Sequence, residues 1–145
     1  APYWDSYARG TIVGLTRGTT RAHLVRATLE GIAFSTRDVL AAMTQDIGRP
    51  IRSIKVDGGP SANTFLMQAL ADISGVTVHV AAIRETTAFG AALLAGLGAK
   101  LWLQETAHLW QEAATYAPRE HSATEAQYRR WLKAVERAKG WAAPD

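Results

Sequence analysis

Cysteine is absent from this sequence of 145 residues, and its absence limits what the protein can be. Without cysteine the chain has no disulfide framework and no thiolate metal site, which suits a reducing compartment such as the cytoplasm. Long apolar runs are absent too. The longest uncharged run, residues 86–99, is too short and too rich in glycine and alanine to cross a bilayer. We therefore predict a cytoplasmic protein that has no membrane partner.

An excess of charge of one sign is also missing, since the net charge is only +3. Many of the basic residues lie in the last predicted helix, where they indicate a face exposed to solvent. A nucleic-acid-binding surface would need a basic face with stacking aromatic side chains or a known motif. These residues are Arg129, Arg130, Lys133, Arg137 and Lys139. The four histidines are scattered without the spacing of metal ligands. We predict neither a nucleic-acid partner nor a metal site within this sequence.

What is present fits one globular domain, residues 1–145, with 48% apolar and 20% charged residues. Its beginning is unusual, because residues 1–5 (APYWD) have no initiator methionine and start abruptly on aromatic side chains. We therefore expect the sequence to be part of a longer chain.

The hydrophobic pattern predicts an alternation of strands and helices. Strands are expected at residues 11–15, 53–56 and 76–80, and helices at residues 21–45, 62–74 and 86–96. Residues 102–114 are expected to form a loop and a short helix, and a last helix follows a capping box formed by Ser122 and Glu125. The small residues of 86–96 predict a helix buried against a sheet and another helix. This order is typical of an α/β domain.

The most informative stretch is Asp57-Gly58-Gly59-Pro60-Ser61, the Gly-Gly turn, which joins a predicted strand to a predicted helix. A strand, a glycine turn and a helix N-terminus can together bring backbone N–H groups against a phosphate, because no Cβ blocks the approach. The alternative is a tight structural turn without a ligand. Asp57 has two interpretations: its carboxylate orients a metal-bound water or the turn backbone, or it simply accepts hydrogen bonds from the turn.

The sequence has neither a P-loop lysine motif nor G-x-G-x-x-G. If a phosphate binds, its remaining donors are backbone N–H groups, with Asn63 one helical turn along to contact another part of the ligand. Such groups bind a ligand but perform no acid–base chemistry. We therefore predict no catalytic residue in this sequence, which looks like half of a site.

Two segments resemble the second signature of the FGGY carbohydrate kinases at every defined position. They are residues 10–15 (GTIVGL) and residues 23–30 (HLVRATLE), separated by seven residues. Other segments resemble the branch of that family that phosphorylates glycerol. These are residues 1–5, 8–10, 17–18, 36–40, 56–59, 63, 65–68 and 86–92. The resemblance covers nearly the whole chain and weakens after about residue 104.

The resemblance implies an actin-like ATPase, ribonuclease-H-like domain: a mixed sheet with helices packed on it. FGGY kinases have two such domains with ATP in the cleft between them, and residues 1–145 match most of the C-terminal, nucleotide-binding domain. Carried over from the family, Gly59 contacts the phosphates of ATP or ADP, Asn63 lies beside the adenosine, and Gly58 supports the turn. Pro60 and Ser61 differ from the small or apolar residues expected there, although proline is compatible with a first helical turn.

The remaining functional residues of the family lie upstream of Ala1. They comprise the glycerol-binding residues, the catalytic aspartate, the other phosphate-binding loop and the aspartate associated with Mg²⁺. We therefore expect ATP and glycerol as partners of the intact enzyme, which is expected to be a homo-oligomer, and no kinase activity from this chain alone. The alternatives are another FGGY sugar or polyol kinase and a non-catalytic actin-like interaction module.

Overall fold

Helices and short strands alternate along the chain, as the hydrophobic pattern predicts. A computed structural model describes residues 2–102, 109–119 and 124–143. Its helices are α1 (Arg21–Ile47), α2 (Thr64–Ser74), α3 (Thr86–Gly98) and α4 (Thr124–Ala138), and a short 3₁₀ helix covers Gly59–Ala62. Its strands are β1 (Ser53–Val56), β2 (Thr77–Ala81) and β3 (Glu112–Tyr116).

The three strands form one mixed sheet in the order β1-β2-β3. Strands β1 and β2 run parallel, with Ser53 opposite Thr77 and Val56 opposite Val80. Strand β3 is antiparallel to β2 and begins its pairing at Tyr116 opposite Val78. The mixed sheet expected from the family resemblance is therefore confirmed. Because β1 and β2 are parallel, their carboxyl ends lie at the same edge of the sheet.

The core lies between the sheet and the pair α1 and α2. Its buried members are Ala33, Phe34, Leu66, Met67, Leu70, Ala71, Ile73, Val78 and Val80. Helix α2 contributes five of these at a spacing of three and four, which confirms the predicted amphipathic helix. The same apolar spacing predicts that Phe65 is buried too, and this is wrong, because Phe65 is 42% exposed on the first turn of α2.

Local signals in the sequence set both ends of α1. At the start, the N–H of Thr20 donates to Nδ1 of His23 at 3.0 Å, so one of the free donors of the first turn is satisfied. At the end, Gly48 has a φ of 73° and its N–H donates to the carbonyl of Thr44 at 3.0 Å. A left-handed glycine that closes the last turn is a common helix ending.

The strand predicted at residues 11–15 is wrong. The segment has no regular structure, and its apolar side chains are exposed; Ile12 is 68% exposed. A strand exists only where a neighbour accepts and donates its backbone hydrogen bonds. No described strand pairs with residues 11–15, so β-propensity alone does not form one.

The end of the chain differs from its prediction as well. Residues 112–116 form β3 where a loop and a short helix were expected, because the free edge of β2 supplies hydrogen-bonding partners. Residues 103–108 of the segment predicted as a loop and a short helix lie outside the described residues, as does Ser122 of the predicted capping box. The amphipathic last helix is confirmed, with Tyr128 and Trp131 packed against the core.

Helix α3 is less covered than its composition predicts. Gly96 is its one buried residue, and Leu94 is 70% exposed, so the expected burial against a sheet and another helix is wrong. The indole of Trp102 lies directly against Gly96 and donates from Nε1 to the carbonyl of Leu93 at 3.1 Å. Within the described ranges, neither α3 nor any other helix is long and apolar enough to span a membrane.

A buried carboxylate joins three distant parts of the chain. Asp38 of α1 is 3% exposed and accepts hydrogen bonds from the hydroxyls of Tyr3 and Tyr128, at 3.1 and 2.7 Å, and from Nε1 of Trp131 at 2.7 Å. We call these four residues the Asp38 cluster. Burial, reinforced by the neighbouring Asp38, raises the pKa of Tyr3 and of Tyr128 to about 12. The shift extends into more alkaline solution the pH range over which both hydroxyls stay protonated donors.

Backbone hydrogen bonds extend this attachment along the first residues of the chain. The N–H of Arg9 donates to the carbonyl of Ala138 at 3.3 Å, and the N–H of Ala142 donates to the carbonyl of Tyr7 at 3.0 Å. The carboxylate of Asp5 accepts from the N–H of Gly140 at 2.7 Å. The Asp38 cluster and these bonds hold residues 2–9 and α4 against α1.

We predict that Asp38→Asn lowers the free energy of unfolding by about 1–3 kcal/mol, since a neutral amide with two donors of its own cannot accept all three buried donors. Urea denaturation measures the change. Asp46→Asn, an exposed change on the same helix, is the matched control and should stay near the wild type. Equal stability of the two variants would contradict a structural role for the Asp38 cluster.

Candidate functional site

The Gly-Gly turn lies at the carboxyl end of β1, beside the carboxyl end of β2. Gly58 has a φ of 81°, a conformation that a side chain would disfavour, so glycine is required there. Its N–H donates to the carbonyl of Arg84, in the loop that follows β2, at 3.0 Å. This bond fixes the turn to the end of the neighbouring strand.

Ser61 holds the next peptide unit, which joins Gly58 to Gly59. Its N–H and its Oγ both donate to the carbonyl of Gly58, at 3.1 and 2.7 Å, and the residue is only 5% exposed. Pro60 occupies the first turn of the 3₁₀ helix, as proline at such a position can. Sequence reasoning missed this role of Ser61. The available signal was a serine three residues after a turn residue, since serine hydroxyls often bond nearby backbone.

These bonds leave Gly59 as the donor that a ligand can reach. Gly59 is exposed, and its N–H has no acceptor among the described residues. A Cβ built on Gly59 would meet nothing within 4 Å, so the space beside it is open. Pro60 has no N–H, and that of Ser61 is already bonded. Among residues 59–61, Gly59 therefore offers the one free backbone N–H to a phosphate, where the sequence predicted an unspecified set.

Asn63 combines two functions at the start of α2. Its Oδ1 accepts from the N–H of Leu66 at 3.0 Å, so the side chain caps the helix. Its Nδ2 makes no hydrogen bond to any residue that the structure describes, and the residue is exposed. The first turn of α2 carries no acidic side chain, so its dipole favours a negative ligand. The amide can therefore donate to a ligand while it caps the helix.

Asp57 neither supports the turn nor forms a metal centre with its neighbours. Its carboxylate is exposed and accepts no hydrogen bond from a described residue, and the N–H groups of Gly58, Ser61 and Asn63 donate to backbone carbonyls instead. In the described part of the chain, no three histidine, aspartate or glutamate side chains are grouped so that they could hold a metal ion. The donors present do not fit a Mg²⁺ site by themselves.

A cavity of about 230 Å³ lies in the groove between α1 and α2, but its charges are already paired. Arg26 bonds Glu30 at 2.7 Å, and Arg119 bonds Asp72 at 2.8 Å. Burial opposes ionisation of Asp72, yet the hydrogen bonds from Arg119 outweigh it and lower the pKa of the carboxyl. Each cation that lines this groove has its own carboxylate, so the groove is a poorer phosphate site than the Gly-Gly turn.

Comparison with known proteins defines the class of the chain. The model of the C-terminal domain of the FGGY family of carbohydrate kinases matches residues 1–99. The chain therefore belongs to the FGGY family of carbohydrate kinases.

Its similar relatives include glycerol kinases. That of Clostridium perfringens is 55% identical over 148 residues, which cover 100% of this chain and 30% of that enzyme. That of Caldanaerobacter subterraneus subsp. tengcongensis is 55% identical and covers 98% of this chain and 29% of its own length. The chain thus spans about 30% of the length of the curated relatives that it matches.

Solved structures agree on the fold. A glycerol kinase of Plasmodium falciparum, crystallised with ADP, superposes with a TM-score of 0.80 at 36% identity, over 95% of this chain and 28% of that one. A xylulose kinase from Lactobacillus acidophilus superposes with a TM-score of 0.72 at 27% identity, over 94% of this chain and 28% of that one. The actin-like ATPase fold predicted from the sequence is confirmed.

The capping role of Asn63 predicts a difference between two substitutions. Asn63→Ala removes the cap and should lower the free energy of unfolding by about 1 kcal/mol, whereas Asn63→Asp keeps an oxygen in place and should stay within a few tenths of the wild type. Urea denaturation of both variants checks this. If Asn63→Asp is as unstable as Asn63→Ala, the side chain does not act as a helix cap.

Proposed function

We propose that this chain is the C-terminal, nucleotide-binding half of a glycerol kinase. The intact enzyme transfers the γ-phosphate of ATP to a terminal hydroxyl of glycerol and gives sn-glycerol 3-phosphate. The observation that carries the proposal is the pair of uncommitted donors at the end of β1, the N–H of Gly59 and Nδ2 of Asn63. They lie in a chain that is 55% identical to glycerol kinases over its whole length.

Each residue of the turn has a separate task in this proposal. Gly59 donates its N–H to a phosphate oxygen, and a hydrogen bond to a charged acceptor is stronger than one between neutral groups. Asn63 donates from Nδ2 to the adenosine while its Oδ1 caps α2. Gly58 shapes the turn through its positive φ and its bond to Arg84. Together these residues bind and orient the nucleotide.

Proton transfer is not among the tasks of these residues. Phosphoryl transfer requires charge stabilisation around the γ-phosphate and a residue that orients the attacking hydroxyl. The Gly-Gly turn supplies one wall of such a site. We place the glycerol-binding residues, the catalytic base and the Mg²⁺ ligands in the part of the enzyme that relatives have beyond this chain, where ATP is held between two domains. A cytoplasmic location and a homo-oligomeric intact enzyme belong to the same proposal.

A second candidate is an FGGY kinase for another sugar or polyol. The same fold occurs in a xylulose kinase and a gluconate kinase from Lactobacillus acidophilus, with TM-scores of 0.72 and 0.71. Both are 27% identical to this chain. Glycerol is favoured because the glycerol kinases are 55% identical. Assays of the intact enzyme with glycerol, xylulose and gluconate separate the two candidates.

Calorimetric titration with ADP tests the site directly on this chain. We predict that the wild type binds ADP and that Asn63→Asp weakens binding at least about tenfold, because a donor is lost and a negative charge is added near the ligand. Gln45→Glu makes the same amide-to-acid change at an exposed position near the C-terminal end of α1 and should bind ADP as the wild type does. If Asn63→Asp and Gln45→Glu bind ADP with equal affinity, Asn63 does not contact the nucleotide.

Enzyme assays test whether this chain can transfer a phosphate without the rest of the enzyme. We predict no glycerol-dependent release of ADP from ATP by the purified chain, because the groups that activate glycerol lie outside it. Measurable turnover would overturn this. In the intact enzyme, Asn63→Ala should raise KM for ATP more than KM for glycerol, and the reverse order would show that the adenosine pocket lies elsewhere.

A further inference from the structure

We propose that Ser61 is a positioning residue for the nucleotide: its hydroxyl fixes the peptide unit between Gly58 and Gly59, and this keeps the N–H of Gly59 available to a phosphate. The inference rests on the proposed nucleotide-binding function and adds a residue to it. Ser61 makes no contact with the ligand in this account. It acts through the backbone of the turn.

The geometry restrains Gly58 on both sides. Its N–H is bonded to the carbonyl of Arg84 at 3.0 Å, and its carbonyl accepts two bonds from Ser61. Glycine at a positive φ has many alternative conformations, and its freedom is what folding must restrict. The peptide units on both sides of the Gly58 Cα are therefore held by hydrogen bonds, which leaves few of these alternatives. The N–H of Gly59 belongs to the same planar unit as the bonded carbonyl, so it has a defined position.

The serine hydroxyl contributes a bond that an apolar residue would not. The Oγ of Ser61 lies 2.7 Å from the carbonyl oxygen, closer than its own N–H at 3.1 Å. The side chain is nearly fully buried, so water competes little for the bond. The family resemblance predicts a small or apolar residue at this position, which would leave the backbone bond alone. In this chain the turn is therefore held in place before the nucleotide arrives, and binding loses less entropy.

A residue that only filled space would behave differently from a positioning residue. Ser74 offers a matched comparison at the far end of α2: its Oγ donates to the carbonyl of Leu70 at 2.5 Å, and it is half-buried. Removal of either hydroxyl costs a serine-to-carbonyl hydrogen bond. Only removal of the Ser61 hydroxyl should change the turn and its affinity for a nucleotide.

The test measures ADP affinity by calorimetry and the hydrogen exchange of the Gly58 amide by NMR, for Ser61→Ala, Ser61→Cys and Ser74→Ala. We expect Ser61→Ala to bind ADP about three- to tenfold more weakly, the equivalent of one hydrogen bond, and its Gly58 amide to exchange faster. Ser61→Cys keeps nearly the same volume with a weaker donor and should fall between Ser61→Ala and the wild type. Ser74→Ala should match the wild type in both measurements, whatever its melting temperature.

Each result bears on the proposal. Wild-type affinity in Ser61→Ala, or an equal loss in Ser74→Ala, overturns the positioning role. If Ser61→Ala does not fold, Ser61→Cys decides, and wild-type affinity in that variant overturns the role as well. Failure of the proposed function is distinguishable, because the wild type itself would then bind no ADP. In that case the exchange rate of the Gly58 amide still tests whether Ser61 fixes the turn. An unchanged rate in Ser61→Ala would overturn this role, and a faster rate would support it.

Discussion

The hydrogen bond between Gly58 and Arg84 is the constraint on which the candidate site depends. It joins the ends of two parallel strands at 3.0 Å, so the loop after β1 cannot move without the loop after β2. The positive φ of Gly58 then turns the chain into the 3₁₀ helix and α2. The two proposed nucleotide donors, Gly59 and Asn63, follow within five residues. The carboxyl ends of parallel strands are where α/β sheets most often bind ligands.

The rest of the fold supplies rigidity to that edge. Helices α1 and α2 share the core with β2, and α2 begins at the residue that caps it, Asn63. Asp38 attaches α4 and the first residues of the chain to α1, and the rings of Phe34 and Trp131 stack with their centroids 5.6 Å apart. Binding groups that lie on helices and strands are held more precisely than those on free loops. The site is therefore attached to the sheet and to α2.

Sequence reasoning succeeded where the determinants are local. The spacing of apolar residues gave α1 and α2, the β-branched alternation gave β2, and paired glycines marked the turn. It failed where a partner is distant: β3 exists because β2 has a free edge, and residues 11–15 lack such a partner. The Asp38 cluster joins residues 35 and 90 positions apart, which no local pattern reveals. Ser61 was noticed only as a departure from the family, and its bond to Gly58 needed coordinates.

A crystal structure of this chain with ADP is the most direct test of the central claim, that the Gly-Gly turn binds the nucleotide. The account predicts a phosphate oxygen about 2.9 Å from the backbone N of Gly59, the usual length of such a hydrogen bond, and Nδ2 of Asn63 donating to the adenosine. It also predicts that Gly58 keeps its bonds to Arg84 and Ser61. ADP bound instead in the groove between α1 and α2, or a turn that rearranges to reach the phosphate, would contradict it.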